Sequence, residues 1–599
     1  MSSSSGMRFH RALRLLGLAS LIGVALFVTN NTSVQFIPVP EHAHEGPSGP
    51  AGQEQIPSTP THETHPIAQL LGNSRSAWSH VRSRQSKTLE EAVKEYERRY
   101  KLPPPPNFDI WFKFAKSRGI ELTDEYDSIY HSLLPFWGLQ PKIIRARAKE
   151  ALGYDNALIG VLIRDGKVSL ANGGGDNNFW KRKALMGMMK PFVEYLPDMD
   201  LAFNTHDEPR VVIPSDDLNR LVSSALRGIV SDRGNKSLEK SWTRPTDLNK
   251  GDRFEEFRIT RFNAFAHQPT WTTSRSSCPV DSPARALNDN GVDNIGAYSF
   301  SDLGFIYNTT AFSDICLSPS LKETFGMFER PNAVNVVRDL FPIFSESKVS
   351  SFQDILYPSP WYWAGNVTYE SSKDYKWKSK KNQLFWRGST TGGLSRAGGW
   401  RRQHRQLFVK GLNALDDVKV LEKNEGKWLA KTVKRATFRP LLNVNFSHVG
   451  QCDPEDCEAQ RGFFDIVEPS GQQDAWAYKY LVDIDGNAFS GRYYAFLKSN
   501  SLIYKIAVFR EWHSEWIQPW VHYVPLSLKG TEHIESVRYF SEEEEGQQHA
   551  QTIAKESSEW AKKSLKNEAL EVWFFRLLLE YGRVVDDNRD NIGFSLPSS

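Results

Sequence analysis

Apolar residues follow three different patterns along the chain. Residues 15–28 are a continuous apolar run, LLGLASLIGVALFV, preceded by Arg8, Arg11 and Arg14. No charge follows until Glu41, so the run can extend to residue 36 and cross a thin membrane. It predicts a signal-anchor at 15–36 behind a cytosolic tail at 1–14, with a cleaved signal peptide as the alternative. Both place the rest of the chain in the lumen of the secretory pathway. Residues 37–87 lack periodicity and are rich in Pro, Gly, Ser, Thr and His, which predicts a disordered stem. From Thr88 onward the pattern turns regular. Thr88 and Glu91 form a capping box ahead of Leu89, Ala92, Val93 and Tyr96 at helical spacing.

Within the regular part, residues 157–170 read as two strands around Asp165-Gly166, a hairpin signal. A helical pattern follows over 179–195, then a strand at 201–203. In the second half, 383–386 reads as a strand running into a Gly/Ser/Thr loop at 387–393. Residues 478–484, 491–498 and 501–508 read as strand, helix and strand, a βαβ unit. A helix capped by Ser541 with Glu544 leads into a helical end. The alternation predicts an α/β fold, and 599 residues are enough for more than one core. We divide it into 88–375, 376–583 and a tail at 584–599.

Composition narrows the partners. The chain has 74 Lys+Arg against 71 Asp+Glu, so no net field calls for nucleic acid. The 18 Trp, 20 Tyr and 35 Phe suit sugar faces as well as core packing. Its four cysteines allow two disulfides in an oxidising lumen, paired by proximity as Cys278–Cys316 and Cys452–Cys457. Four buried thiols, or a zinc site on Cys452, Cys457 and His448, are the alternatives. Sequons stand at Asn235, Asn308, Asn366 and Asn445.

Three clusters carry candidate chemistry. In Trp386-Arg387-Gly388-Ser389-Thr390-Thr391-Gly392-Gly393 a strand empties into a small-residue loop with one cation at its mouth, a shape suited to a diphosphate. In the stretch from Tyr478 to Arg492, Asp485, Gly486, Ser490 and Arg492 lie where a strand end meets a helix start, a usual place for phosphate. Arg387 and Arg492 could share one ligand there. Asp483-Ile-Asp485 has the form of a divalent-metal motif, a weak signal alone. The third cluster sets Asp198, Asp200, His206, Asp207 and Glu208 around a strand, where a carboxylate could act as general base and is as readily a turn cap.

The segments WRGSTTGG, YKYLVDIDGNAFSGR, LKSNSLIYK and QPWVHYVPL, with NTHDEP and DILYPSPWYW, resemble glycosyltransferase family 90 over about residues 102–581. The variants are most similar to its fungal xylosyltransferase branch. The resemblance implies an inverting GT-B enzyme, two Rossmann-like domains facing a cleft, that uses UDP-xylose or UDP-glucose. It implies Asp207 as the catalytic base, Arg387, Gly388 and Ser389 as the donor-diphosphate loop, and Arg492 as a second phosphate arginine. No metal is implied at Asp483 and Asp485, and metal dependence is left open. Glu511 and the 519–523 stretch read as structural or nucleotide-proximal. The implied acceptor is a hydroxyl of a glycan, glycolipid or glycoprotein, and the implied location is a Golgi or endoplasmic reticulum membrane in type II orientation. A glycoside hydrolase would need a second acid facing Asp207 and has no use for two arginines beside glycine-rich loops. A lectin-like lumenal protein would not need the three residues together.

Overall fold

A computed structural model describes residues 62–171, 178–230, 238–251 and 258–597. The expected anchor at 15–36 and the sequon at Asn235 lie outside these residues. Among the described residues no helix is long and apolar enough to cross a membrane.

Structure begins earlier than the sequence pattern predicts. Helix α1, Pro66–Ser83, is capped by His65, whose Nδ1 accepts the Ile67 amide at 3.1 Å. Its Ile67, Leu70 and Leu71 insert into the core around the second sheet, and its Trp78 into the core around the first. The disordered stem expected up to residue 87 is thereby corrected: four apolar side chains at helical spacing find partners far along the chain. Helix α2, Leu89–Tyr100, carries the expected capping box. Helices α3 (Phe108–Ser117), α4 (Asp127–Trp137) and α5 (Pro141–Leu152) follow.

The first sheet opens with the predicted hairpin. Strands β1, Leu158–Arg164, and β2, Lys167–Leu170, pair antiparallel. Asp165 (φ 45°) and Gly166 (φ 69°) supply the two left-handed residues of the tight turn. After α6 (Phe179–Met189), β3 (Met199–Asn204) pairs antiparallel with β1. Beyond α7 (Ser215–Val230), β4 (Ile343–Ser345) and β5 (Ile355–Leu356) add in parallel, giving the order β2-β1-β3-β4-β5. A single helical turn, α8, Pro360–Trp363, leads away.

The second sheet is wholly parallel, in the order β7-β6-β8-β9-β10, from β6 (Lys381–Ser389), β7 (Leu442–His448), β8 (Tyr478–Ile484), β9 (Leu502–Ile506) and β10 (Val524–Pro525). Parallel strands covered on both faces are written as apolar runs, which is why β8 and β9 are readable as a βαβ unit around α10, Tyr493–Lys498. Strand β6 continues through Ser389, so Arg387 and Gly388 are strand residues and not loop. Helix α9, His404–Asn413, packs against β7.

The C-terminal region is three helices, α11 (His533–Glu542), α12 (Glu544–Ser564) and α13 (Asn567–Val584). Ser541 lies in the last turn of α11, not at a helix start, and α12 opens without a side-chain cap. Helix α13 packs on α3, α4 and α6, so the closing helix joins the first sheet's core. The expected tail is fold as well: Ile592 is buried and the Phe594 amide donates to the Pro104 carbonyl at 2.8 Å. Both disulfides are present with the pairing read from proximity, Cys278–Cys316 and Cys452–Cys457.

Candidate functional site

The C-terminal ends of β3 and β4 lie on one edge of the first sheet, because these strands run parallel. Those of β6, β8 and β9 lie on one edge of the second. The two edges are stitched together. Lys348, just after β4, and Arg510, just after β9, exchange backbone hydrogen bonds of 3.0 and 2.7 Å. Ligands of α/β sheets gather at such edges.

On the first edge, Asn204 shapes the loop that carries Asp207. Its amide donates to the Glu208 carbonyl at 2.7 Å, and its oxygen accepts from the His206 amide at 3.0 Å and from Arg210 Nε at 2.5 Å. Arg210 is fully buried, donates to the Asn156 and Ala157 carbonyls, and has its own amide on Asp354. The loop is thus braced from within, while Asp207 itself stays exposed at its tip. Desolvation by the surrounding protein and then the nearby Glu346 charge raise its pKa. Lys181 Nζ, 2.6 Å from Glu346 and 3.3 Å from the Thr205 carbonyl, is the nearby countercharge. Glu208 is buried, and desolvation with the Asp207 charge lifts its pKa to about 8. Burial and then Arg210 lower His206 to about 4, so its imidazole is neutral at pH 7. Asp200 is committed elsewhere: it pairs with Arg164 and accepts the Asn249 amide.

On the second edge, the loops after β6 and β8 touch. Gly392 (φ 121°) and Gly393 (φ 111°) require glycine, and a Cβ on Gly392 would lie 2.8 Å from the His404 ring. Their amides donate to Gln451 and Asn487 side chains. Arg405, buried behind these loops, donates to the Asp485 carbonyl at 2.8 Å, the Ser389 carbonyl at 3.2 Å, Thr391 Oγ1 at 3.0 Å and the Ile484 carbonyl at 3.2 Å. Gly486 makes room for it, since a Cβ there would meet its guanidinium at 2.9 Å. Burial lowers the Arg405 pKa to about 10. A fork of this shape fixes four acceptors that a lysine could not span.

The expected donor residues divide. Arg492, half-buried at the N-cap of α10, donates to the Arg387 carbonyl at 2.7 Å. The Arg387 guanidinium instead turns back along β6 to Asn443, 2.9 Å from its carbonyl oxygen and 2.6 Å from its side-chain oxygen. The two arginines therefore meet through main chain and not head to head. Gly388 is closed over by the Trp386 ring, and Ser389 Oγ lies 2.7 Å from Thr391 Oγ1. Asp485 has a structural task in place of the expected donor contact: its buried carboxylate accepts the Val508 and Phe509 amides at 2.7 and 3.0 Å. Desolvation raises its pKa to about 7. Asp483 pairs with Lys505 at 2.8 Å, and among the described residues no group of three or more His, Cys, Asp or Glu side chains is arranged to hold a metal.

Residues 325–589 match the family described as Glycosyl transferase family 90. The match covers less than half of the chain and takes in the second sheet and the closing helices. The chain is 30% identical over 182 residues to Protein O-glucosyltransferase 3 of Homo sapiens, covering 28% of this chain and 35% of that protein. It is 30% identical over 122 residues to Protein O-glucosyltransferase 3 of Rattus norvegicus (20% and 22%) and 30% over 116 residues to the O-glucosyltransferase rumi homolog of Aedes aegypti (19% and 28%). The matched stretch thus spans about a third of the human relative and less of the others. The family match holds Arg387 and Arg492, while Asp207 lies upstream of it.

Three buried residues, Lys181, Glu346 and Arg405, and the partly buried Lys505 escape sequence reading. Each looks like an ordinary surface charge in the sequence. Glu511 is a partial exception, since the resemblance already reads it as structural or nucleotide-proximal. Burial, then the neighbouring acids Asp483, Asp485 and Glu346, lift its pKa to about 8, against a lowering by Lys505. Glu346 thus acts on carboxyls of both edges, on Asp207 and on Glu511.

Proposed function

We propose that this chain is an inverting glycosyltransferase that moves xylose, or glucose, from a UDP-sugar to a hydroxyl of a mannose-containing glycan, polysaccharide or glycolipid. The two sheets are then the two halves of a GT-B enzyme, with the donor on the second edge and the acceptor on the first. The observation that supports this reading is Asp207, held on a braced loop at one strand edge, with that edge joined to the edge of the Arg492 loop through the Lys348–Arg510 backbone pair. Asp207 takes the acceptor proton, and its raised pKa brings it nearer the range useful to a general base. Arg492, at a helix N-terminus and backed by buried Arg405, stabilises negative charge on the departing UDP. The transition state gathers positive charge at the anomeric carbon, which the acids of the first edge tolerate. Two disulfides support a lumenal site of action in the Golgi or endoplasmic reticulum, with the apolar run at 15–36 as membrane anchor.

The test is UDP release by the chain from His62 onward, given UDP-xylose or UDP-glucose with and without mannose-containing acceptors. Asp207→Asn should leave donor affinity nearly unchanged and cut turnover by about 10²–10⁴-fold. Full turnover in that variant moves the base to Glu208 or His206, and absence of UDP release with every donor sinks the reading. A second reading, protein O-glucosyltransferase, is favoured by the names of the relatives. It predicts glucose transfer to a folded protein acceptor and none to free glycan.

A further inference from the structure

The motif Pro360-Trp361-Tyr362-Trp363 fastens the two sheets' edges with three consecutive aromatic rings, and they do different things. Tyr362 stacks on Tyr494 at 3.5 Å and donates to the Ser490 carbonyl at 2.8 Å. Trp363 packs on Gly187 of α6, where a Cβ would lie 2.4 Å from its ring, and donates to Glu571 at 3.2 Å. Trp361 donates to the Gly491 carbonyl at 3.2 Å, and Gly491 admits it because a Cβ there would lie 2.6 Å from Nε1.

Opposite Trp361 stands Trp180, in the first turn of α6. The rings meet at 79° with centroids 6.0 Å apart, forming a right-angled corner, and Trp180 is 39% exposed. Its neighbour Lys181 reaches the Asp207 loop through the Thr205 carbonyl. The other wall touches Gly491, next to Arg492. One side of the corner thus adjoins the candidate base and the other the candidate phosphate arginine. Trp361 packs partly against the first sheet's core and Lys181 Nζ lies 5.9 Å from the Trp180 ring centre, while Trp180 keeps more than a third of its surface exposed.

We propose that Trp180 and Trp361 form the platform on which a pyranose ring of the acceptor glycan stacks, an assignment that rests on the glycosyltransferase reading for which sugar is reacting but not for binding itself. The C–H face of a pyranose is apolar and flat, and an indole offers a rigid apolar face at small conformational cost. The ring's hydroxyls would then point to the polar loops on either side, one of them toward Asp207. Trp361 is the fixed wall, and Trp180 is the wall that can be changed without disturbing the core.

The experiment measures α-mannotriose binding by titration calorimetry on the chain from His62 onward, with UDP binding, melting temperature and UDP-sugar turnover on the same samples. Trp180→Ala should weaken mannotriose binding by about tenfold or more, with UDP affinity and melting temperature unchanged. Trp180→Phe, which keeps a flat ring, should recover most of the affinity. Equal mannotriose affinity in Trp180→Ala and the parent overturns the proposal. So does lack of mannotriose binding by the parent, and so does a loss of UDP affinity in place of mannotriose affinity. Mannotriose binding that depends on Trp180 without turnover of any UDP-sugar leaves the platform standing and removes the transferase. Turnover that is indifferent to Trp180 does the reverse.

Discussion

Removing α1 should destabilise the whole fold, although its sequence reads as the end of a stem. The perturbation is a chain that begins at Ser86 in place of His62. It removes Ile67 (0% exposed), Leu70 (2%) and Leu71 (1%) from the second sheet's core and Trp78 (7%) from the first. Full burial of each aliphatic side chain is worth about 1.5–3 kcal/mol, so these three alone supply roughly 5–9 kcal/mol before the cost of ordering the helix is subtracted. The deletion also uncovers the partner surface. His65 stacks on Tyr539 at 4.1 Å, meets Trp428 edge-on at 4.8 Å and bonds Glu535 at 2.9 Å, and Trp78 packs edge-on against Trp560. A net loss of a few kcal/mol is a large part of the roughly 5–15 kcal/mol that stabilises a typical native protein. Thermal unfolding of the two chains at equal concentration is the assay, with the shorter one expected to melt at least several degrees lower or to aggregate. A point variant of the longer chain, Leu71→Ala, should cost about 2–5 kcal/mol by the same packing argument. A Ser86 chain that melts with the His62 chain would refute the reasoning and return α1 to the stem.

Two further outcomes follow from buried charge. Glu208, lifted to about 8 by burial and then by Asp207, holds a proton in the folded state that the unfolded chain releases near its ordinary 4.5. Its contribution is fully present below that ordinary value and is lost as pH rises through about 8, a change on the order of a few kcal/mol. Glu208→Gln should therefore melt like the parent at pH 4 and above it at pH 8.5, and equal melting at both would show that Glu208 ionises freely. Arg405→Lys keeps the charge and loses the fork that holds Ser389, Thr391, Ile484 and Asp485. UDP affinity should fall together with melting temperature, by an amount set by hydrogen bonds worth about 1.5–3 kcal/mol each to a charged donor, and unchanged UDP affinity by calorimetry would detach Arg405 from the donor loops.

What the sequence reveals of this molecule depends on whether the cause of a feature is local. The hairpin at 157–170 is legible because Asp165 and Gly166 supply the turn and the flanking runs supply the pairing. The parallel strands β8 and β9 are legible because burial on both faces leaves no room for polar residues, and the Thr88–Glu91 box because both partners are three residues apart. Helix α1 is not, because its reason to fold is Glu535, Tyr539 and Trp428, and its own flanks are Pro, His and Ser. The acids show the same division at the site itself. Asp207 and Asp485 each stand just beyond a strand end, and composition treats them alike. Asp485 is consumed by the amides of Val508 and Phe509 at the end of a neighbouring strand, whereas no described residue donates a hydrogen bond to the Asp207 carboxylate, whose loop is instead held by Asn204 and Arg210. A carboxylate becomes available for chemistry when other residues do the bracing. The short-range spacing Asn204, Asp207, Arg210 already writes that arrangement into the chain, but it is complete only with Asp354 and Ser345, which the sheet brings from the far side of β4 and from its last residue.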